Sequence, residues 1–175
     1  MTTRGDTLLR LSGLILGLAA AAALVAGSRI PPGTGVLGAD VIVASGPTGE
    51  LAVSPTGPFL AATNLSPGTA AGAPDGTIEI TNQTGVALDV QLRGTPSSAD
   101  MDTLLQVRVT TADRTLFDGT LGAFRDWTSS PLTLTPGQRA HVTVATWLDP
   151  QGGDSWSGRV ANVFVEFRST PTGTP

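Results

Sequence analysis

The sequence predicts an all-β protein, an antiparallel β-sandwich preceded by an N-terminal signal helix. Three observations predict it. Short segments of apolar–polar alternation recur from Glu50 to Arg168, and a period of two turns one side of each segment toward a core. Turn chemistry separates them, with 22 glycines and 13 prolines among 175 residues concentrated between the alternating runs. Finally, Arg4 and Arg10 flank the start of an apolar run from Leu11 to Gly27 broken only by Ser12, the charged n-region and apolar h-region of a secretory signal.

Taken in order, residues 1–27 form that signal. The run is shorter than the roughly 20 apolar residues a membrane span needs, Val25-Ala26-Gly27 offers a cleavage site, and an uncleaved anchor is the alternative. Residues 28–49 read as a flexible segment in which Pro31-Pro32-Gly33 precedes one short strand-like strip, Val41-Ile42-Val43. Residues 50–168 carry the sandwich. Glu50–Ser54 and Phe59–Thr63 are bounded by proline, which places them at sheet edges. Thr77–Thr81 puts Ile78 and Ile80 on one face, and Ala87–Arg93 does the same with Leu88, Val90 and Leu92. Asn82-Gln83-Thr84-Gly85 between them reads as a hairpin loop.

Leu104–Thr110 alternates through Leu105, Val107 and Val109, and Thr115–Phe117 and Leu132–Leu134 are short strands around a helical turn within Gly119–Phe124. Arg139–Trp147 alternates through Val142 and Val144, then loses phase at Thr146-Trp147, which predicts a bulge. Arg159–Arg168 turns Val163, Val165 and Phe167 inward. Leu65-Ser66-Pro67-Gly68 and Leu134-Thr135-Pro136-Gly137 each precede an alternating run, and Pro followed by Gly is the chemistry of a type II turn with positive φ at the glycine. Residues 169–175 are Ser, Thr, Pro and Gly, a disordered tail by composition.

Composition excludes several function classes. The formal charge is −4 and every basic residue is arginine, with no basic run, so nucleic acid is not an expected partner. A membrane is expected to be met only through the N-terminal segment, if it stays uncleaved. Cysteine is absent, which removes disulfides, thiolate metal sites and thiol catalysis.

The order of the turns and strands carries a resemblance. Gly49-Glu50-Leu51 is followed by Asn64-Leu65-Ser66-Pro67-Gly68, then by Gly76-Thr77-Ile78-Glu79-Ile80-Thr81-Asn82. Leu116-Phe117-Asp118-Gly119-Thr120-Leu121, Leu134-Thr135-Pro136-Gly137 and Gly153-Asp154-Ser155-Trp156-Ser157-Gly158 complete the string. Over about Gly49 to Arg168 the chain resembles the TasA/camelysin family of bacterial surface and biofilm-matrix proteins. The resemblance implies a jelly-roll-like sandwich, export and assembly into extracellular fibres. It also carries the peptidase label of the camelysin branch. Thr69, Ser157 and the lack of lysine depart from the family's pattern.

The residues themselves supply little chemistry. His141 is the single histidine, whereas zinc peptidases need two histidines four apart on a helix with a glutamate between. No metal site is expected; His141, Asp149 and Asp154 are the individual ligand candidates, and the acid pairs Asp100/Asp102, Asp113/Asp118 and Asp149/Asp154 show no calcium-loop spacing. Gly153-Asp154-Ser155 lacks a base and an oxyanion donor pair, so no catalytic residue and no cofactor are expected. Trp127, Trp147 and Trp156 are candidate surface aromatics for a glycan, against the commoner use of Trp in packing.

The expectation is therefore a secreted or cell-surface structural protein. Its partners would be other copies of itself or other matrix proteins, and Val41-Ile42-Val43 is the strip best placed to be donated to a neighbour's sheet. The alternatives are a camelysin-like metal-dependent peptidase and a monomeric glycan-binding module.

Overall fold

In the computed structural model, residues 39–45, 50–65, 67–152 and 158–172 are described. The chain divides into units Met1–Gly33 and Thr34–Pro175, and every described residue lies in the second. The predicted signal and the last residues of the tail lie outside the described residues.

Among the described residues ten strands follow one another: β1 (Ala39–Ser45), β2 (Leu51–Ser54), β3 (Gly57–Leu65), β4 (Asp75–Asn82), β5 (Leu88–Pro96), β6 (Leu105–Thr110), β7 (Thr115–Thr120), β8 (Leu132–Leu134), β9 (Arg139–Leu148) and β10 (Val160–Pro171). They build two five-stranded sheets, β3-β1-β10-β5-β8 and β2-β4-β9-β6-β7. Alternation explains each strand. Ile78 and Ile80 of β4, Leu88, Val90 and Leu92 of β5, Leu105, Val107 and Val109 of β6, and Val163 and Val165 of β10 all face one shared hydrophobic core. Phe124, in a 3-10 turn at Ala123–Arg125, is wholly buried beside them. The two proline-bounded strands, β2 and β3, stand at sheet edges as their sequence requires.

Five local expectations are corrected. The tail read as disordered begins as strand, with Ser169, Thr170 and Pro171 ending β10 opposite Val90, Asp89 and Leu88 of β5. Asn82-Gln83-Thr84-Gly85 is not a hairpin loop, because β4 and β5 belong to different sheets. The Asn82 side chain turns inward and bonds across to β8, so the loop carries the chain from one sheet to the other. The bulge at Thr146-Trp147 is absent. β9 pairs without a break from Thr143 opposite Thr110 to Leu148 opposite Leu105, and Thr146 simply occupies a core position in an otherwise apolar row. The two Pro-Gly turns also differ. Gly137 has φ +72° and Gln138 N–H donates to the Thr135 carbonyl at 3.0 Å, a type II turn. At the other, positive φ falls on Gly72 rather than Gly68, and Gly68 N–H instead donates to Leu148. Finally, the pairing is not wholly antiparallel: β1 runs parallel to β10. Parallel neighbours need a long crossover, and nearly the whole domain lies between these two strands.

Candidate functional site

The strip Val41-Ile42-Val43 is the middle of β1. Val41 lies opposite Ala161 and Val43 opposite Val163 on β10, while Ile42 pairs with Ala61 on the antiparallel side. Val41 and Val43 are buried in the core and Ile42 is half-buried on the outer face. Every other neighbouring pair in this sheet is antiparallel. β1 thus fills a slot between β3 and β10, and the first sheet is continuous only with a strand seated there.

The two described metal candidates, His141 and Asp149, do not come together. His141, at the start of β9, is exposed, and its Nε2 lies 3.8 Å from Glu79 Oε2. Asp149 follows the opposite end of β9, eight residues on, which is about 26 Å at the rise of an extended strand. Its carboxylate accepts from Gln151 N–H at 2.8 Å and from Gln106 Nε2 at 3.4 Å. Asp154 lies outside the described residues. Among the described residues no three His, Asp or Glu side chains are grouped for a metal ion. The other loop acids serve local bonds: Asp102 pairs with Arg125 at 2.9 Å and Asp118 with Arg108 at 2.8 Å.

The two described tryptophans are separated as well. Trp127 lies against the outer face of the first sheet beside two guanidinium groups, Arg93 and Arg168, each 4.6 Å from its ring centre. A cation over an indole face is attracted by the ring's quadrupole. Arg93 also pairs with Glu166 at 2.7 Å, and Thr95 Oγ1 donates to the same carboxylate at 2.6 Å. Burial alone would raise the Glu166 carboxyl's pKa, but the bonds from Thr95 and Arg93 and the Arg93 charge hold it below the ordinary value. Trp147 points from β9 to the outer face of the second sheet, with Arg108 5.4 Å from its ring centre. It forms one wall of a 430 Å³ cleft whose other walls include Thr63, Leu65, Pro67, Thr69 and Pro74, with no charged side chain among the described residues. Trp156 lies outside the described residues.

A second groove, of 570 Å³, escaped the sequence reading. It is framed by the β6–β7 turn (Thr111 to Arg114), by Leu132 and Thr133 of β8, and by Arg139, Ala140 and His141 of β9. Those walls come from three separate stretches of chain, so no local pattern announces them. The turn is fixed by Thr111 N–H donating to the Arg114 carbonyl at 2.8 Å and Thr111 Oγ1 donating to Asp113 at 2.7 Å. The Thr111 hydroxyl and the Asp113 backbone N–H hold the Asp113 carboxyl below its usual range. Arg114 donates to the Pro131 carbonyl across the groove's mouth. Arg139 lies 3.5 Å from Glu79 on β4.

Compared with protein-family models and with curated proteins, the chain matches none.

Proposed function

We propose that the protein is an exported, non-catalytic structural protein of the cell surface or extracellular matrix, a jelly-roll-like β-sandwich behind an N-terminal signal helix, which assembles into fibres by strand donation. The single observation that carries this reading is the seating of β1. An N-terminal strand occupies an interior slot between β3 and β10 with Val41 and Val43 in the core. No hairpin turn ties it to β10, so a neighbour's β1 can make the same backbone bonds and fill the same apolar positions. The sandwich reading is supported by the route of the chain, since only the β6–β7 connection stays within one sheet, as strand-by-strand exchange between layers requires in jelly rolls. Export rests on the charged-then-apolar N-terminus.

Electron microscopy of the full chain at rising concentration tests the proposal. Fibres are expected, deletion of residues 28–45 is expected to abolish them, and a synthetic peptide covering β1 is expected to cap their growth. Equal assembly with and without the segment, or a monomer in both cases, would overturn it.

The uncharged cleft walled by Trp147 favours a second reading, a surface module for a neutral glycan. Quenching or a blue shift of Trp fluorescence by a matrix polysaccharide, lost in Trp147→Ala and kept in Trp127→Ala, is its expected signature.

A further inference from the structure

Backbone direction alternates along β9, and three bonds fix its phase. Asn82 N–H donates to the Gln138 carbonyl at 3.0 Å and Thr146 N–H donates to Pro74 at 3.1 Å, both on the β4 side. Asp149 N–H donates to Leu104 at 2.9 Å on the β6 side. The odd-numbered residues of β9 therefore turn their N–H and C=O groups toward β6. But β6 ends at Thr110, opposite Thr143, and the chain leaves through the turn at Thr111 to Arg114. The N–H and C=O groups of Arg139 and His141 face past the end of β6, and no backbone bond among the described residues reaches them on that side. This open edge forms one wall of the 570 Å³ groove.

The groove has the wrong sign for the rest of the chain. Two arginines, Arg114 and Arg139, line it against one acid, Asp113, in a protein of net charge −4. Glu79, which pairs with Arg139, stands beside the groove on β4 and is not part of its wall. Leu132 and Ala140 supply apolar floor. An unpaired strand edge gives backbone hydrogen bonds to an extended chain, and flanking cations select the sign of its side chains.

We propose that this groove docks an extended acidic peptide from a partner protein, which adds as a short strand to the open edge of β9 at Arg139 and His141. The open edge of β9 is in the second sheet, whereas the β1 slot is in the first, so the proposal stands or falls independently of fibre assembly.

The test uses the full chain and a fluorescein-labelled peptide of alternating Val and Glu, read by anisotropy. His141→Pro removes one of the two N–H groups that face the open side and no bond of the β4–β9 ladder, and it is expected to weaken binding by about tenfold. Arg139→Glu, at an exposed side chain that tolerates change, is expected to weaken it to a similar degree, so the result does not rest on the proline variant's folding. The same peptide with Lys for Glu is expected not to bind. Equal binding of the Lys peptide, full binding by a folded His141→Pro variant, or no binding of the acidic peptide would each overturn the proposal. So would a dimer of the chain that His141→Pro dissolves while the peptide fails to bind, which would make a second copy the occupant.

Discussion

The Asn82 side-chain amide donates a 2.9 Å hydrogen bond to the Leu134 carbonyl, joining β4 of one sheet to β8 of the other. Its second N–H donates to Val86 at 2.8 Å, and its oxygen accepts from the Thr84 N–H and hydroxyl, each at 2.8 Å. A fully buried amide thus has its whole hydrogen-bonding capacity met. Its own backbone pairs with the β8–β9 turn, through Gln138 and Gly137. Replacing Asn82 with Ala leaves the Leu134 carbonyl without the amide donor and the Thr84 N–H without its acceptor, and is expected to cost about 2–4 kcal/mol. Urea denaturation checks this: the midpoint should fall with little change in slope.

Gly76 is set by a different constraint, close approach. A Cβ there would overlap the Phe59 carbonyl oxygen, and it would sit 2.9 Å from both the Phe59 carbonyl carbon and the Leu60 Cβ. β4 and β3 belong to opposite sheets, so this contact sets how closely they meet at one margin. The obstacle is largely backbone, which cannot rotate away, so Gly76→Ala is expected to destabilise by about 1–3 kcal/mol. Gly85→Ala, where a Cβ meets nothing within 4 Å, is the control and should stay within about 0.5 kcal/mol of the parent. Thermal melting of the two variants side by side separates the effects.

Strands were legible because the alternation that defines them is local. Ile78 and Ile80, or Val163 and Val165, declare an inward face within a few residues. The sheet to which a strand belongs was not legible. The loop after β4 has the length and composition of a hairpin, and what sends the chain across instead is one amide reaching Leu134, 52 positions away. The parallel seating of β1 beside β10 is equally non-local. Likewise the β9 edge lies open because β6 stops at Thr110, a mismatch in strand length that no residue near His141 encodes. The separation of Trp127 from Trp147 follows from the same cause, since the two belong to different outer faces.

Thr146 is a polar residue in an apolar row. It is buried between Val144 and Leu148 on the inward face of β9, and its Oγ1 has no hydrogen-bond partner among the described residues. A buried hydroxyl without a partner carries an uncompensated desolvation cost. Valine has nearly the same shape without that cost, so Thr146→Val is expected to raise stability by about 1 kcal/mol. A higher urea midpoint with an unchanged slope is the expected readout. A fall would show that the hydroxyl has a partner in solution.

Glu166 makes the stability of the first sheet depend on pH. Despite burial that favours the neutral acid, the Thr95 and Arg93 bonds and the Arg93 charge lower its pKa from the ordinary 4.5. The unfolded chain therefore binds a proton more readily than the folded chain across the interval just below 4.5. The stabilisation is complete above that value and is lost as pH falls through the folded pKa. Glu166→Gln removes the charge while keeping the size, and the pair is partly exposed, so the variant is expected to lose about 1 kcal/mol at neutral pH. The gap between parent and variant should close as the pH is lowered, because a protonated Glu166 resembles glutamine. Urea midpoints measured from about pH 7 to pH 3 give the two curves. A gap that stays constant across that range would show that Glu166 contributes through packing rather than charge.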